Sequence, residues 1–123
     1  MKLSESILHV LLSAQAKALA TTGPAGLNVV PVSTVRIIED EVYLVDCFFN
    51  KTRQNLQAEN EVALTFWSGL IGYQLKAETE YLSFGGAFEK ISKWAQQHYP
   101  ERKVHGVIKL KPVEIFDISV PRL

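Results

Sequence analysis

Asn50-Lys51-Thr52-Arg53-Gln54-Asn55-Leu56 sets an ammonium, a hydroxyl and a guanidinium side by side at what reads as the start of a helix. The first N–H groups of a helix have no intrahelical acceptor, and the dipole makes that end positive. An anion, phosphate above all, is what such a group can hold. Lys51 supplies a point charge, Thr52 a hydroxyl and a backbone N–H, and Arg53 a fork that grips phosphate through two N–H groups. The same residue types also suit a solvated helix start, and spacing alone leaves both readings open. Upstream lies Val29–Phe49, VVPVSTVRIIEDEVYLVDCFF, two apolar, β-branched runs meeting at a short acidic turn. Residues 29–56 together read as a β-hairpin feeding a phosphate-anchored cofactor site.

Little other chemistry is legible. His9, His98 and His105 are scattered, with no partner at metal-ligand spacing, so no metal site is expected. Nucleophile-elbow, P-loop, metalloprotease and dinucleotide-binding patterns are absent. No pair of carboxylates stands out as acid and base, and no catalytic residue is assigned. The lone Cys47 sits in an apolar run without an adjacent basic residue and reads as a small buried hydrophobe. A chain without nucleophile, base or metal either binds something or takes its chemistry from a cofactor.

The surrounding pattern says what positions the anchor. Ser4–Ala16 has a helical apolar stripe (Ile7, Leu8, Leu11, Leu12) with Ser4 as N-cap and Leu3 and Leu8 spaced as a hydrophobic staple. Lys17–Thr22 suits a strand, and Gly23-Pro24-Ala25-Gly26 a turn. Leu27–Ile38 reads as one long second strand, with Val30 and Val32 on one face and Val29, Val35 and Ile37 on the other. Such a strand needs cover on both sides: a core on one and a helix, second subunit or flat ligand on the other. Pro31 cannot donate to a ladder, so its neighbours Val32, Ser33 and Thr34 can present free backbone groups to a ligand; a plain edge position is the alternative. Glu39-Asp40 is a hairpin turn, and Glu41–Phe49 the third strand, with Asp46 expected to face solvent. The helix Lys51–Glu59 follows, with Asn50 as N-cap. Val62–Trp67 and Gly72–Glu80 alternate as strands, Gly86–His98 is an amphipathic helix, Lys103–Ile118 is a last strand kinked or edged at Pro112, and residues 121–123 form a short tail. Six strands joined by tight turns favour antiparallel pairing and closure into a small barrel, with helices over its ends.

At 123 residues the chain is read as a single domain, 1–123. Thirteen basic residues balance thirteen acidic ones. That neutrality argues against a nucleic-acid partner, oligonucleotide-binding barrels included, and offers little electrostatic protection against self-association. Residues 1–16 faintly imitate a secretory signal, but Glu5 and His9 interrupt the apolar region, so a cytoplasmic protein is expected. No run reaches the ~20 apolar residues that span a bilayer, and no membrane partner is expected.

The order of elements, with ALATTGPAGLNVVPVSTVRIIEDEVYLVDCFFNKTRQNL followed by the VALTFW strand and the terminal VIKLKPVEIFDI strand, resembles the FMN-binding split β-barrel superfamily. That group includes the pyridoxamine 5'-phosphate oxidase-like proteins, and this chain is most similar to the small bacterial FMN-binding proteins. The resemblance is most specific over residues 29–56. It implies a mainly β fold, a six-stranded antiparallel split barrel with flanking helices. It also implies a homodimer with two FMN molecules at the subunit interface. The phosphate would lie at Asn50, Lys51 and Thr52 with Arg53 and Asn55 nearby, and the ring along Pro31, Val32, Ser33 and Thr34. Phe49, Trp67 or Tyr73 would cover the ring, with some contacts from the partner chain. The pyridoxal-binding residues of true pyridoxamine 5'-phosphate oxidases are not found. The implied function is a small FMN-dependent oxidoreductase or electron-transfer protein with an unidentified donor and acceptor. The alternative is a non-catalytic flavin- or haem-binding store or sensor on the same barrel, since some relatives prefer a deazaflavin or haem; His98 and His105 are the candidate haem ligands.

Overall fold

The computed structural model describes residues 1–121. In chain order it contains helix α1 (Glu5–Ser13), strands β1 (Ala16–Thr21), β2 (Asn28–Pro31), β3 (Val35–Ile38) and β4 (Glu41–Asp46), and helix α2 (Lys51–Ala58). Strands β5 (Glu61–Ser68) and β6 (Ile71–Leu82), helix α3 (Gly86–His98) and strand β7 (Gly106–Asp117) follow. Ser4 caps α1 as expected, its hydroxyl accepting from the Ile7 N–H at 3.3 Å. Of the expected tail, Arg122 and Leu123 lie outside the described residues.

The strands form one antiparallel sheet in the order β2-β1-β5-β6-β7-β4-β3. Its two edges are β2 and β3, yet these are joined only by Val32-Ser33-Thr34. Four Cα–Cα steps reach at most ~15 Å. A flat sheet of seven strands would hold its edge strands ~29 Å apart at the usual strand spacing. The sheet must therefore curl until its edges nearly meet, and residues 32–34 form a seam where the barrel is split.

The seam corrects the expected second strand. Leu27–Ile38 is two strands, so the sheet has seven strands where the pattern suggested six. The bend also resets the inside–outside phase. Val29, expected to share a face with Val35 and Ile37, is 67% exposed, whereas those two pack against the core. Pro31 ends β2, where its missing N–H costs no ladder bond. Two further breaks match the sequence: Glu39 and Asp40 both have positive φ (52° and 65°), as a two-residue hairpin turn demands, and the β6–β7 register shifts between Lys76 and Ala77, beside Pro112.

Leu19, Leu44, Leu64, Phe66, Leu75 and Ile108 fill the barrel, and Leu3 and Leu11 join them from the α1 segment. Each buried Leu or Ile contributes roughly 1.5–3 kcal/mol relative to exposure. A second cluster, Tyr43, Val45, Ile91 and Val107, lies under α3. Strand β4 is therefore covered on both faces, by the barrel core and by α3. Outside the barrel, Val29, Ala20 and Ala63 sit opposite one another across β2, β1 and β5, as do Ala18 with Thr65 and Ala16 with Trp67. These residues make an outer sheet face of mostly small side chains, on which Val29 and Trp67 are exposed.

Candidate functional site

An open cavity of about 850 Å³ lies between the seam and the start of α2. Pro31, Val32, Ser33 and Thr34 line it on the seam side. Phe49, Asn50, Lys51 and Thr52 line it on the helix side. The topology explains the juxtaposition: β4 pairs with β3, so the turn that leaves β4 emerges beside the segment that enters β3.

At the helix start, the first intrahelical bond runs from the Gln54 N–H to the Asn50 carbonyl at 3.2 Å. The N–H groups of Lys51, Thr52 and Arg53 precede it, and the Asn50 side chain makes no capping bond. Thr52 is almost wholly buried, and its Oγ1 accepts from Asn28 Nδ2 at 2.6 Å. With that lone pair used, the Thr52 hydroxyl has its own proton left to donate. Across the cavity, Val32 donates its N–H to the Lys17 carbonyl (2.9 Å) and Thr34 accepts from the Val45 N–H (3.3 Å). Among the described residues, the N–H groups of Ser33 and Thr34 have no backbone partner. The site thus offers donors at both ends: a cationic helix start and a stretch of unladdered backbone. Such a set suits a molecule with a phosphate tail and a flat, acceptor-bearing body.

The helix start is held by a buried ion pair that sequence pattern did not reveal. Asp46, expected at the surface, is fully buried. Its carboxylate accepts from Arg53 Nε (2.6 Å) and Nη2 (3.1 Å), from the Tyr81 hydroxyl (2.6 Å) and from the Phe49 N–H (2.9 Å). Four donors offset the cost of burying the charge. They also tie β4, the 47–50 turn, α2 and β6 together, which fixes where α2 begins. Burial, followed by the bond to Asp46, holds the Tyr81 phenol well above its ordinary range, and the bond to Asp46 likewise raises the Arg53 guanidinium. Tyr81 fits because residue 106, opposite Asp46 in the β4–β7 ladder, is glycine: a Cβ there would overlap the Tyr81 ring.

Arg53 therefore grips a carboxylate of its own chain. Asn55 also turns away from the cavity. It is fully buried, donates through Nδ2 to Thr21 Oγ1 (3.1 Å) and the Gly26 carbonyl (2.8 Å), and accepts from the Ala25 N–H at 2.9 Å. It clamps the 23–26 turn onto α2, and Gly23 comes so close that a Cβ would lie 2.8 Å from Asn55 Oδ1. Trp67 is on the outer sheet face and does not line this cavity, and Tyr73 packs on Phe66 with ring centroids 5.9 Å apart. Sequence reasoning missed Asn28, Phe48 and Arg102, all of which line the cavity. Asn28 had a signal, a polar residue opening an apolar strand; Arg102, some 50 positions from the anchor, had none. Cys47 is half-buried at the cavity wall, not wholly in the core. Burial pushes its thiol up, nearby Arg102 opposes that, and Asp46 adds to it.

A curled antiparallel half-barrel with flanking helices is the architecture of the pyridoxamine 5'-phosphate oxidase-like proteins. Residues 3–119 match the sequence profile described as pyridoxamine 5'-phosphate oxidase, and the chain belongs to that family, within the FMN-binding split-barrel superfamily. No curated protein sequence matches it. Among solved structures, HupZ from Group A Streptococcus superposes with a TM-score of 0.81 at 20% identity, over 95% of this chain and 94% of that one. An FMN-binding protein from Syntrophomonas wolfei gives 0.75 at 19% identity, over 92% and 83%. HutZ from Vibrio cholerae, described as a heme storage protein, gives 0.72 at 12% identity, over 95% of each chain. At these identities the likeness is one of fold. Among the described residues, no helix is long and apolar enough to cross a membrane.

Proposed function

We propose that this cavity binds FMN and that the protein is a small oxidoreductase or electron-transfer protein working as a homodimer. The observation that carries the reading is the pairing, in one cavity, of an uncapped cationic helix start with the unpaired N–H groups of the seam. Lys51, Thr52 and the first N–H groups of α2 would hold the phosphate, with Asn28 keeping the Thr52 hydroxyl aimed as a donor. Backbone from Val32 to Thr34 would bond the ring edge. When bound, FMN supplies the hydride- or electron-accepting chemistry; the chain positions it, limits water and needs no general acid or base of its own. The Ala-rich outer face, with Val29 and Trp67 exposed upon it, is continuous with Ala16 and Lys17 at the cavity wall. A second copy seated on that face would close the open side of the cavity and bring in further ring contacts, Trp67 of the second copy included.

The FMN-binding relative from Syntrophomonas wolfei supports this cofactor. The heme storage protein HutZ supports a second reading, a haem-binding or storage role on the same barrel. The geometry favours FMN: no histidine lines this cavity among the described residues, and His98 is engaged elsewhere, its Nδ1 2.9 Å from the Trp94 carbonyl and its ring stacked on Trp94.

The visible spectrum of the purified protein separates the readings, flavin bands supporting the first and a Soret band the second. A colourless protein that takes up no added FMN would sink the proposal. Lys51→Ala with Thr52→Ala should weaken FMN at least tenfold more than riboflavin, which has no phosphate; equal losses place the phosphate elsewhere. Light scattering should report a dimer, and a monomer that holds FMN tightly contradicts the interface site.

A further inference from the structure

Lys17 stands near the start of β1, and nothing in the reading of phosphate binding uses its charge. Along β1 the side chains of Lys17, Leu19 and Thr21 point one way, and those of Ala16, Ala18 and Ala20 the other. The ladder sets Leu19 opposite Val30 and Thr21 opposite Asn28, so Asn28 and Val30 of β2 share the Lys17 side. All three line the cavity. This wall has two distinct ends. At one, Asn28 is bonded to Thr52 at the helix start; at the other, the Lys17 carbonyl takes the Val32 N–H at 2.9 Å. Four strand steps separate Asn28 from Val32, ~13 Å at the usual rise. The Lys17 Nζ donates to the Ala14 carbonyl at 3.4 Å, and Ala14 precedes β1, so the ammonium is drawn farther still from Thr52. It is a charge at the seam end, too distant to share an anion held at Thr52. One bond leaves an ammonium two further N–H groups. Among the described residues no carboxylate pairs with Lys17, and no acidic side chain lines the cavity.

We propose that Lys17 sets the reduction potential of the bound flavin, its ammonium stabilising the negative charge that the ring gains on reduction. This rests on the reading of the cavity as an FMN site with the ring along residues 32–34. A hydride donor delivers two electrons and one proton, so a ring that is neutral before reduction carries one negative charge afterwards. That charge gathers on the acceptor-bearing edge of the ring, the edge that the free Ser33 and Thr34 N–H groups suit. Lys17 faces the same place from the neighbouring strand. Its ammonium does little for the neutral ring and attracts the reduced one, at a half-buried position where water screens the pair only in part. Lys17 thus favours the reduced cofactor without being needed to hold the oxidised one, which Lys51, Thr52 and the helix start retain by its phosphate.

The test is an anaerobic titration of FMN-loaded protein with dithionite beside a reference dye, which reads the midpoint potential of the bound flavin. Lys17→Met keeps the stem but not the charge. It should weaken reduced FMN relative to oxidised FMN about tenfold, a fall of about 30 mV for a two-electron couple. Lys17→Gln should do the same, and Lys17→Arg should keep that ratio within about twofold of the wild type. Oxidised FMN and riboflavin should each bind every variant within about twofold of the wild type. Three outcomes overturn the proposal. One is an unchanged potential in both Lys17→Met and Lys17→Gln. Another is an equal fall in Lys17→Arg, which would make shape and not charge the cause. The third is an about tenfold loss of oxidised FMN with riboflavin unaffected, which would make Lys17 a holder of the phosphate. A wild type that takes up no FMN at all overturns the cofactor reading instead, and the role of Lys17 with it.

Discussion

Replacing Asp46 by alanine should unfold the protein far more readily than its position near the end of a strand suggests. Four donors lose one acceptor at once: two N–H groups of Arg53, the Tyr81 hydroxyl and the Phe49 N–H. Removing one partner from a fully buried pair costs ~3–5 kcal/mol, because the other charge stays buried without compensation. Here Arg53 keeps 27% of its side chain exposed, so water recovers part of its loss. The low end, about 3 kcal/mol, is therefore expected. With a urea slope of ~1.5 kcal/mol/M, the unfolding midpoint falls by ~2 M. The assay is equilibrium urea unfolding followed by tryptophan fluorescence, at one fixed protein concentration so that self-association does not move the midpoint. Asp46→Asn, which keeps the shape and one acceptor oxygen, should cost about half as much. In a double-mutant cycle with Tyr81→Phe the two losses should fail to add by at least ~0.5 kcal/mol. If Asp46→Ala costs less than ~1 kcal/mol, the value of an exposed ion pair, the network is not what holds the β4–α2 turn.

Three other perturbations test neighbouring parts of the structure. Gly106→Ala should cost ~1–3 kcal/mol by pushing the Tyr81 ring off Asp46, and thermal unfolding should show the cost shrinking once Tyr81 is also alanine. The folded state holds the Tyr81 proton more tightly than the unfolded chain does, so that contribution is complete below about pH 10 and is lost as pH climbs above it. Tyr81→Phe should flatten that alkaline decline in a pH series of unfolding midpoints, and an unchanged decline assigns it to other groups. The Ser33 and Thr34 amides should exchange with solvent rapidly in the free protein and slow at least tenfold when FMN is added, as hydrogen-exchange spectra would show; unaltered rates would put the ring elsewhere.

What could be read from sequence was whatever local chemistry dictates. Ser4, the Glu39-Asp40 turn, Pro112 and the alternation from Val62 to Trp67 each specify their own neighbourhood, and the structure follows them. The helix start at Asn50–Thr52 was legible for the same reason. The break between β2 and β3 was not, because the β-branched Val32 and Thr34 carry the strand pattern across it. It is imposed by the need of β2 and β3 to occupy opposite edges of one sheet. Asp46 misled because its solvation is decided by Arg53 and Tyr81, 7 and 35 positions away. Arg53 and Asn55 share the helix with the anchor residues, but the helix turns their side chains toward other parts of the fold. Spacing along a helix start lists the groups available; tertiary contacts decide which of them face the cavity.

The three-residue seam has a consequence unrelated to anything the protein binds. The open edges of a sheet are templates for pairing with other chains, and natural proteins keep them short, charged or covered. Here the edges, β2 and β3, are four residues each and are kept near one another by a tether of three residues. Every residue inserted between Pro31 and Val35 would slacken that tether and let the edges part. Such a chain would retain its core and its helix start but would present two bare strands to its neighbours. Val32-Ser33-Thr34 is, in that sense, the protein's guard against stacking edge to edge.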